Sequence, residues 1–380
     1  EFVQKQLGPA SEVITSHEQI AAFTDQVVVV GYFEEADGPM WKGFEAAART
    51  MNGTKFAITY SAEAMKAAKA KPDDIIVYKK FDGGSEKKYT GEAKARLIKD
   101  FVGIEQVPVV TEFTSQEMND KIFKSPLKNK VLFFGNIDDK QSRDLVPTLF
   151  SVAEEYYGKA VTVYVSKDKT AILDWFGVTV EDFPAVYAAR DAEKKGKQMT
   201  KFEGPLRADF KKGDPKALLK KFYQDLIDDK LDVFRKSQPI PPKPFDDDNV
   251  MTLVARTFDK VVYDEKKDVV VFFYAPWCKH CKEMDAPYGE VARTFRGVDT
   301  LVFAKMDAIN NEVRDDVHVM GYPHVMMFAA KDKKKFNPYD GQRDPEEIEE
   351  WVKKSVSIVP KYKKKKKSKG DKDEEKKELQ

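Results

Sequence analysis

The only two cysteines of this 380-residue chain, Cys278 and Cys281, stand two residues apart in "APWCKHCKEM" (275–284). Thiols at this spacing suit three chemistries: a pair that opens and closes a disulfide, half of a zinc site, or an inert buried pair. A structural disulfide across two residues closes almost no loop and stabilises little, so a chemical role is expected. A structural zinc site wants four ligands, there is no second cysteine pair, and His17, His280, His318 and His324 are scattered, so no metal is expected. The motif follows an apolar run (269–274) and precedes a helical pattern. Cys278 is therefore expected at a helix N-terminus, where free N–H groups and the helix dipole favour the thiolate. Lys279 and His280 add positive charge beside it. Cys281, one turn on, is expected to be more buried and to resolve a mixed disulfide. A favoured thiolate stabilises the reduced pair, so the pair is expected to be a fairly strong oxidant. Trp277 is expected to pack beside the sulfur and limit access. Pro287, in the same helix, removes a backbone hydrogen bond and is expected to kink it.

The elements that must position these thiols recur three times. An apolar strand, a short turn and an amphipathic helix appear at 26–51, 130–158 and 268–297. Each is followed by a second strand ("TKFAITY", "AVTVYV", "TLVFAKMDA"), a helical stretch, a β-hairpin and a closing helix. Near-continuous Val/Ile/Phe strands with crossover helices imply a buried, partly parallel sheet, to which each hairpin adds antiparallel strands. The fold class is α/β: three tandem units, each a mixed sheet covered by helices on both faces. They are expected at 10–106, 107–235 and 246–357, with a stiff proline-rich linker at 236–245 and a disordered, charged tail at 358–380. "EFVQKQLGPASEV" reads as the last turn of a helix followed by a Gly8-Pro9 break, as in a fragment of a longer chain. A net charge of +1 argues against nucleic acid or a membrane surface as the main partner. No apolar run approaches the ~20 residues needed to cross a bilayer.

"FYAPWCKHCK" resembles the active-site segment of the protein disulfide isomerase family, whose usual form has glycine where Lys279 stands. The resemblance continues to about residue 357 through "MGYPHV", "FAKMDA", "YDGQR", "IEQVPVVTEFT" and "DWFGVTVEDFPAV". It implies three thioredoxin-like domains, two redox-inactive and the third active. It makes Pro323 the cis-proline facing the cysteines, Lys305 the buried lysine of the second strand, and Arg343 the arginine that tunes Cys281. Around the thiols it places Trp277, Tyr322 and His324, the last where threonine is usual, as substrate contacts. In the second unit it implies a peptide pocket formed by Phe113, Phe123, Val146 and Trp175. It implies a disulfide isomerase of the endoplasmic reticulum lumen, acting on unfolded cysteine-containing polypeptides and on a thiol oxidase or glutathione as redox partner, with no cofactor. A binding protein with a secondary redox site is the rival reading. Family tails end in a retention signal resembling Lys-Asp-Glu-Leu, whereas this sequence ends "KKELQ". The family also carries a buried glutamate just before "FYAPW", where this chain has Phe272. Without it, either Lys305 stays neutral through burial and takes the Cys281 proton itself, or another carboxylate reaches in.

Overall fold

The computed structural model describes residues 10–114, 116–192 and 199–358. The helix end expected at 1–9, and the charged tail from residue 359 on, lie outside the described residues. The chain divides between Phe234 and Arg235 into two compact units.

The first unit opens with β1 (Glu12–Val13), α1 (Gln19–Ala22), β2 (Val27–Tyr32), α2 (Gly38–Thr50), β3 (Lys55–Thr59), α3 (Ala62–Ala67), β4 (Asp74–Lys79), β5 (Glu86–Lys88) and α4 (Ala95–Glu105). Its sheet order is β1-β3-β2-β4-β5. β2 is buried along its whole length, which is why its valines run without polar alternation. A second sheet follows from β6 (Val110–Glu112), α5 (Gln116–Lys124), β7 (Asn129–Phe134), α6 (Lys140–Glu155), β8 (Val161–Val165), α7 (Thr170–Phe176), β9 (Ala185–Arg190), β10 (Thr200–Glu203), α8 (Arg207–Phe210), α9 (Pro215–Ile227) and β11 (Val233–Phe234). Its order is β11-β10-β9-β7-β8-β6. A buried polar cluster joins the two sheets' elements. Lys79 Nζ lies 2.9 Å from Glu105, and the Tyr157 hydroxyl donates to the same carboxylate at 3.2 Å.

The second unit contains β12 (Val250–Thr252), α10 (Ala255–Val262), β13 (Asp268–Tyr274), α11 (Lys279–Thr294), β14 (Leu301–Asp307), β15 (His324–Phe328), β16 (Phe336–Tyr339) and α12 (Pro345–Ser355), with sheet order β12-β14-β13-β15-β16. β13 runs parallel to β14 and antiparallel to β15. Alternate residues of β13 feed two cores. Val270 and Phe272 pack under α11 together with both cysteines, while Val269, Val271 and Phe273 pack on the opposite face. At the far end of β13 the buried Asp268 carboxylate accepts from the N–H groups of Ala330, Ser357 and Ile358 and from the Ser357 hydroxyl, at 2.7–3.0 Å. This ties the closing segment to the sheet.

The repeated strand, helix, strand and hairpin order is as expected. The sequence reading missed β1, β6, β11 and β12. Each is an edge strand of two or three residues, too short for its own periodicity to register. Part of the segment expected as a stiff, extended linker is bonded into the second unit. Lys236 N–H donates to the Glu312 carboxylate at 3.0 Å, and Gln238 N–H donates to the buried Asn311 amide oxygen at 2.9 Å. Further on, Thr252 N–H donates to the Pro244 carbonyl at 2.7 Å.

Candidate functional site

β13 delivers the chain to Ala275, which is 1 % exposed, and Cys278 then stands as the N-cap of α11. An N-cap side chain accepts from the N–H groups that the first turn leaves unpaired. Asp139 does this for α6, Asp214 for α9 and Asp344 for α12. At α11 a sulfur takes that place, and Cys281 N–H donates to Cys278 Sγ at 3.3 Å. Pro287 lies inside α11, and the helix runs through it to Thr294. Facing the cap, the Tyr322–Pro323 peptide is cis. The Tyr322 carbonyl accepts from the Cys278 thiol at 3.6 Å.

The two thiols are free and differ in environment. Cys278 is 8 % exposed and Cys281 3 %. The Cys281 thiol donates to Cys278 and so holds its pKa below the ordinary thiol value; the N–H groups of Cys281 and His280 and the Arg343 guanidinium act in the same direction, against the opposing effect of burial. Burial pushes Cys281 up to about 11, and its hydrogen bond to Cys278 adds to that. The pair is thus polarised: one sulfur is ready to ionise and the other keeps its proton.

Several expected neighbours stand elsewhere. Lys279 projects into solvent, 3.8 Å from Glu283, and His280 acts on Cys278 through its backbone N–H. The cationic side chain acting on both sulfurs is that of Arg343. Trp277 is 71 % exposed, so it is not tucked against the sulfur. His324 pairs in register with Phe273, whereas Val325 pairs with Phe272. Register partners share a face of the sheet, so the His324 side chain lies on the face away from the cysteines rather than beside them. Its Nε2 is buried without a hydrogen-bond partner, and burial lowers its pKa.

Phe272 is 1 % exposed, with its ring centroid 5.4 Å from that of Tyr288 and 5.7 Å from that of Tyr274. The layer beneath Cys281 is therefore aromatic where the family has a carboxylate. Lys305, in register with Phe272, is not the neutral lysine that burial alone would give. Burial lowers its pKa, but Asp285 at 3.1 Å and Asp246 at 3.3 Å outweigh that, and the net shift is upward. Lys305 stays charged, so it does not accept the Cys281 proton. Sequence reasoning did not find these two carboxylates, because Asp246 precedes β12 and Asp285 lies on the helix, with no motif linking them to Lys305.

In the second sheet Phe113, Phe123 and Trp175 are half-buried and join one cluster with Met118, Leu127 and Phe234. The Phe113 and Phe123 rings meet edge to face at 6.3 Å. Val146 is not among them. It lies on α6, whose Leu145, Leu149 and Val152 pack on the other face of that sheet. This sheet also has a counterpart of the thiol site. Asp139 caps α6, the Phe183–Pro184 peptide is cis, and Arg207 donates to the Phe183 carbonyl and reaches Asp139 at 3.5 Å. A carboxylate thus occupies the place that Cys278 holds in the third sheet, and Asp37 is the corresponding N-cap in the first.

Among the described residues no group of three or more His, Cys, Asp or Glu is placed to hold a metal ion, and no helix is long and apolar enough to cross a membrane. The family model described as Thioredoxin matches residues 249–354, and the one described as Thioredoxin-like domain matches 33–221. The chain is 30% identical over 369 residues to a protein disulfide-isomerase of Medicago sativa, covering 93% of this chain and 68% of that protein. It is 29% identical to the protein disulfide-isomerase of Gallus gallus, covering 92% and 67% respectively. To that of Oryctolagus cuniculus it is also 29% identical, covering 90% and 66%. The chain spans about two thirds of the length of these relatives.

Proposed function

This chain belongs to the protein disulfide-isomerase family of thioredoxin-like thiol–disulfide oxidoreductases, and on that premise we propose that Cys278 and Cys281 form, reduce and rearrange disulfides in unfolded secretory polypeptides. The carrying observation is the N-cap position of Cys278, where backbone N–H groups and the Cys281 thiol stabilise a thiolate. In the reducing direction the Cys278 thiolate attacks one sulfur of a client disulfide. A client thiolate leaves, and a mixed disulfide remains. Cys281 then attacks the Cys278 sulfur, releases the second client thiol and closes the Cys278–Cys281 disulfide, so two electrons pass to the client. The reverse sequence oxidises a client dithiol, and a thiol oxidase or oxidised glutathione re-oxidises the pair. When the first client thiolate instead attacks another client disulfide, it displaces a further client thiolate. That thiolate attacks the client sulfur of the mixed disulfide and expels the Cys278 thiolate, so the disulfides are rearranged and the pair returns reduced.

Pro323 and the Tyr322 carbonyl form the wall opposite Cys278, and exposed Trp277 offers a client an apolar ring beside it. Arg343 acts on both sulfurs. An oxidising compartment such as the lumen of the endoplasmic reticulum suits a disulfide-forming pair. A second reading, a peptide-binding protein with a subsidiary redox site, is favoured by the half-buried cluster at Phe113, Phe123 and Trp175. Aromatic rings on a rigid frame hold apolar segments without strict sequence demands.

One experiment separates the two. The double variant Cys278→Ser, Cys281→Ser is expected to lose renaturation of a scrambled-disulfide client down to the uncatalysed rate. It should still suppress aggregation of a cysteine-free client, and Trp175→Ala should weaken that suppression. Renaturation that persists in the double variant rules out the exchange reading.

A further inference from the structure

We propose that Glu283 is a positioning residue for the exchange reaction: its carboxylate, on the helix that carries both cysteines, holds the Arg343 guanidinium beside the cysteine pair. This rests on the reading of Cys278 and Cys281 as the reacting thiols. The backbone around Arg343 is fixed by its own loop. The Tyr339 hydroxyl donates to the Gln342 carbonyl, Gln342 N–H donates to Glu347 at 3.0 Å, and Asp344 caps the helix that follows. A Cβ on Gly341 would sit 2.6 Å from the Tyr339 hydroxyl, so only glycine lets that ring close over the loop.

A fixed backbone still leaves a long arginine side chain free to swing into water, with a gain in rotamer entropy. Glu283 gives that swing a defined end. Arg343 Nη1 donates to Glu283 Oε2 at 3.1 Å, with both side chains about two-fifths exposed, at 40 % and 43 %. Glu283 follows Cys281 by two positions, and side chains at that spacing do not face each other on a helix. Its carboxylate therefore acts on the sulfurs chiefly through where it holds Arg343. Lys279, at the position where the family has glycine, stands one turn earlier and shares the same carboxylate at 3.8 Å. The longer distance and greater exposure make it the weaker of the two cations on Glu283.

The test is the pH dependence of iodoacetamide alkylation of reduced Cys278 in the full chain, with Cys281 followed separately by peptide mapping. Glu283→Ala is expected to raise the apparent Cys278 pKa by about half a unit, the scale of an exposed ion pair. Arg343→Met should shift it in the same direction. The double variant should go no further than Arg343→Met alone, because Glu283 acts through that side chain. Partial or full return of the wild-type value in Glu283→Asp supports the positional role. A downward shift in Glu283→Ala would show the carboxylate acting as a bare negative charge and overturn the proposal, as would no shift or full additivity. Alkylation reports on the sulfur whether or not the protein exchanges disulfides. Failure of the exchange reading would show instead as absent renaturation by the wild-type chain.

Discussion

With Cys281 replaced by serine, the chain is expected to capture client protein as a covalent adduct through Cys278 that persists until an added thiol releases it. Cys278 keeps its helix cap in this variant, and the Cys281 N–H that donates to its sulfur is a backbone group, so attack on a client disulfide continues. What is lost is the second nucleophile. In the wild type Cys281 is one helical turn away, and the high effective concentration of a neighbouring group makes its attack on the mixed disulfide fast. Non-reducing electrophoresis with mass spectrometry should show the adduct accumulating by on the order of 10²-fold or more over wild type. Cys278→Ser should show far less, because the remaining thiol is buried and burial, the largest influence on it, still raises its pKa. Equal trapping by the two single variants would mean that the polarity assigned to the pair is wrong.

The second large effect concerns Phe272. Cys281 must lose a proton before it attacks, and the aromatic layer of Phe272, Tyr274 and Tyr288 offers no carboxylate at that depth. Lys305, in register with Phe272, is held charged by Asp246 and Asp285 and takes no proton. Phe272→Glu would place a carboxylate on the cysteine face of β13 next to Lys305. Burial there raises a carboxyl pKa, towards the range where it can accept the Cys281 proton near neutral pH. A positioned general base contributes on the order of 10²-fold or more, so the release of mixed disulfides in stopped-flow assays should accelerate by about that factor. Stability should fall by about 3 kcal/mol as a packed ring is replaced by a smaller polar group. Unchanged release rates in a folded Phe272→Glu protein would mean that the missing glutamate does not limit this chain.

The parts legible in the sequence were those written in contiguous stretches. Three apolar strands, each running into an amphipathic helix, announced three sheets, and two cysteines at one such junction announced a thiol at a helix cap. The rest depended on pairings that no local pattern encodes. The edge strands at 12–13, 110–112, 233–234 and 250–252 have two or three residues each and owe their form to the neighbour they pair with. His324 follows the cis-proline in sequence, yet strand alternation turns it to the opposite face. The family resemblance puts Val146 in the peptide pocket, yet its helix packs on the other side of the sheet. Lys279 and His280 seemed the obvious cations because they lie between the cysteines. A residue at the start of a helix can point outward, and the guanidinium that acts on both sulfurs comes from position 343, sixty-two residues beyond Cys281 in the chain. Trp277 stands next to Cys278 in sequence, yet the turn leaves its ring in solvent.

The central claim is that one sulfur of the pair is an ionisable nucleophile and the other is a buried, protonated reserve. Differential alkylation of the reduced wild-type chain between pH 5 and 9, with each cysteine quantified by mass spectrometry, tests it most directly. The thiolate is the reacting species, so each cysteine should label along its own ionisation curve. Cys278 should label with a midpoint below that of an ordinary thiol, and Cys281 should stay unlabelled across the range, as befits a pKa of about 11. Parallel labelling of the two cysteines, or a midpoint for Cys278 at or above the ordinary thiol value, would contradict the account.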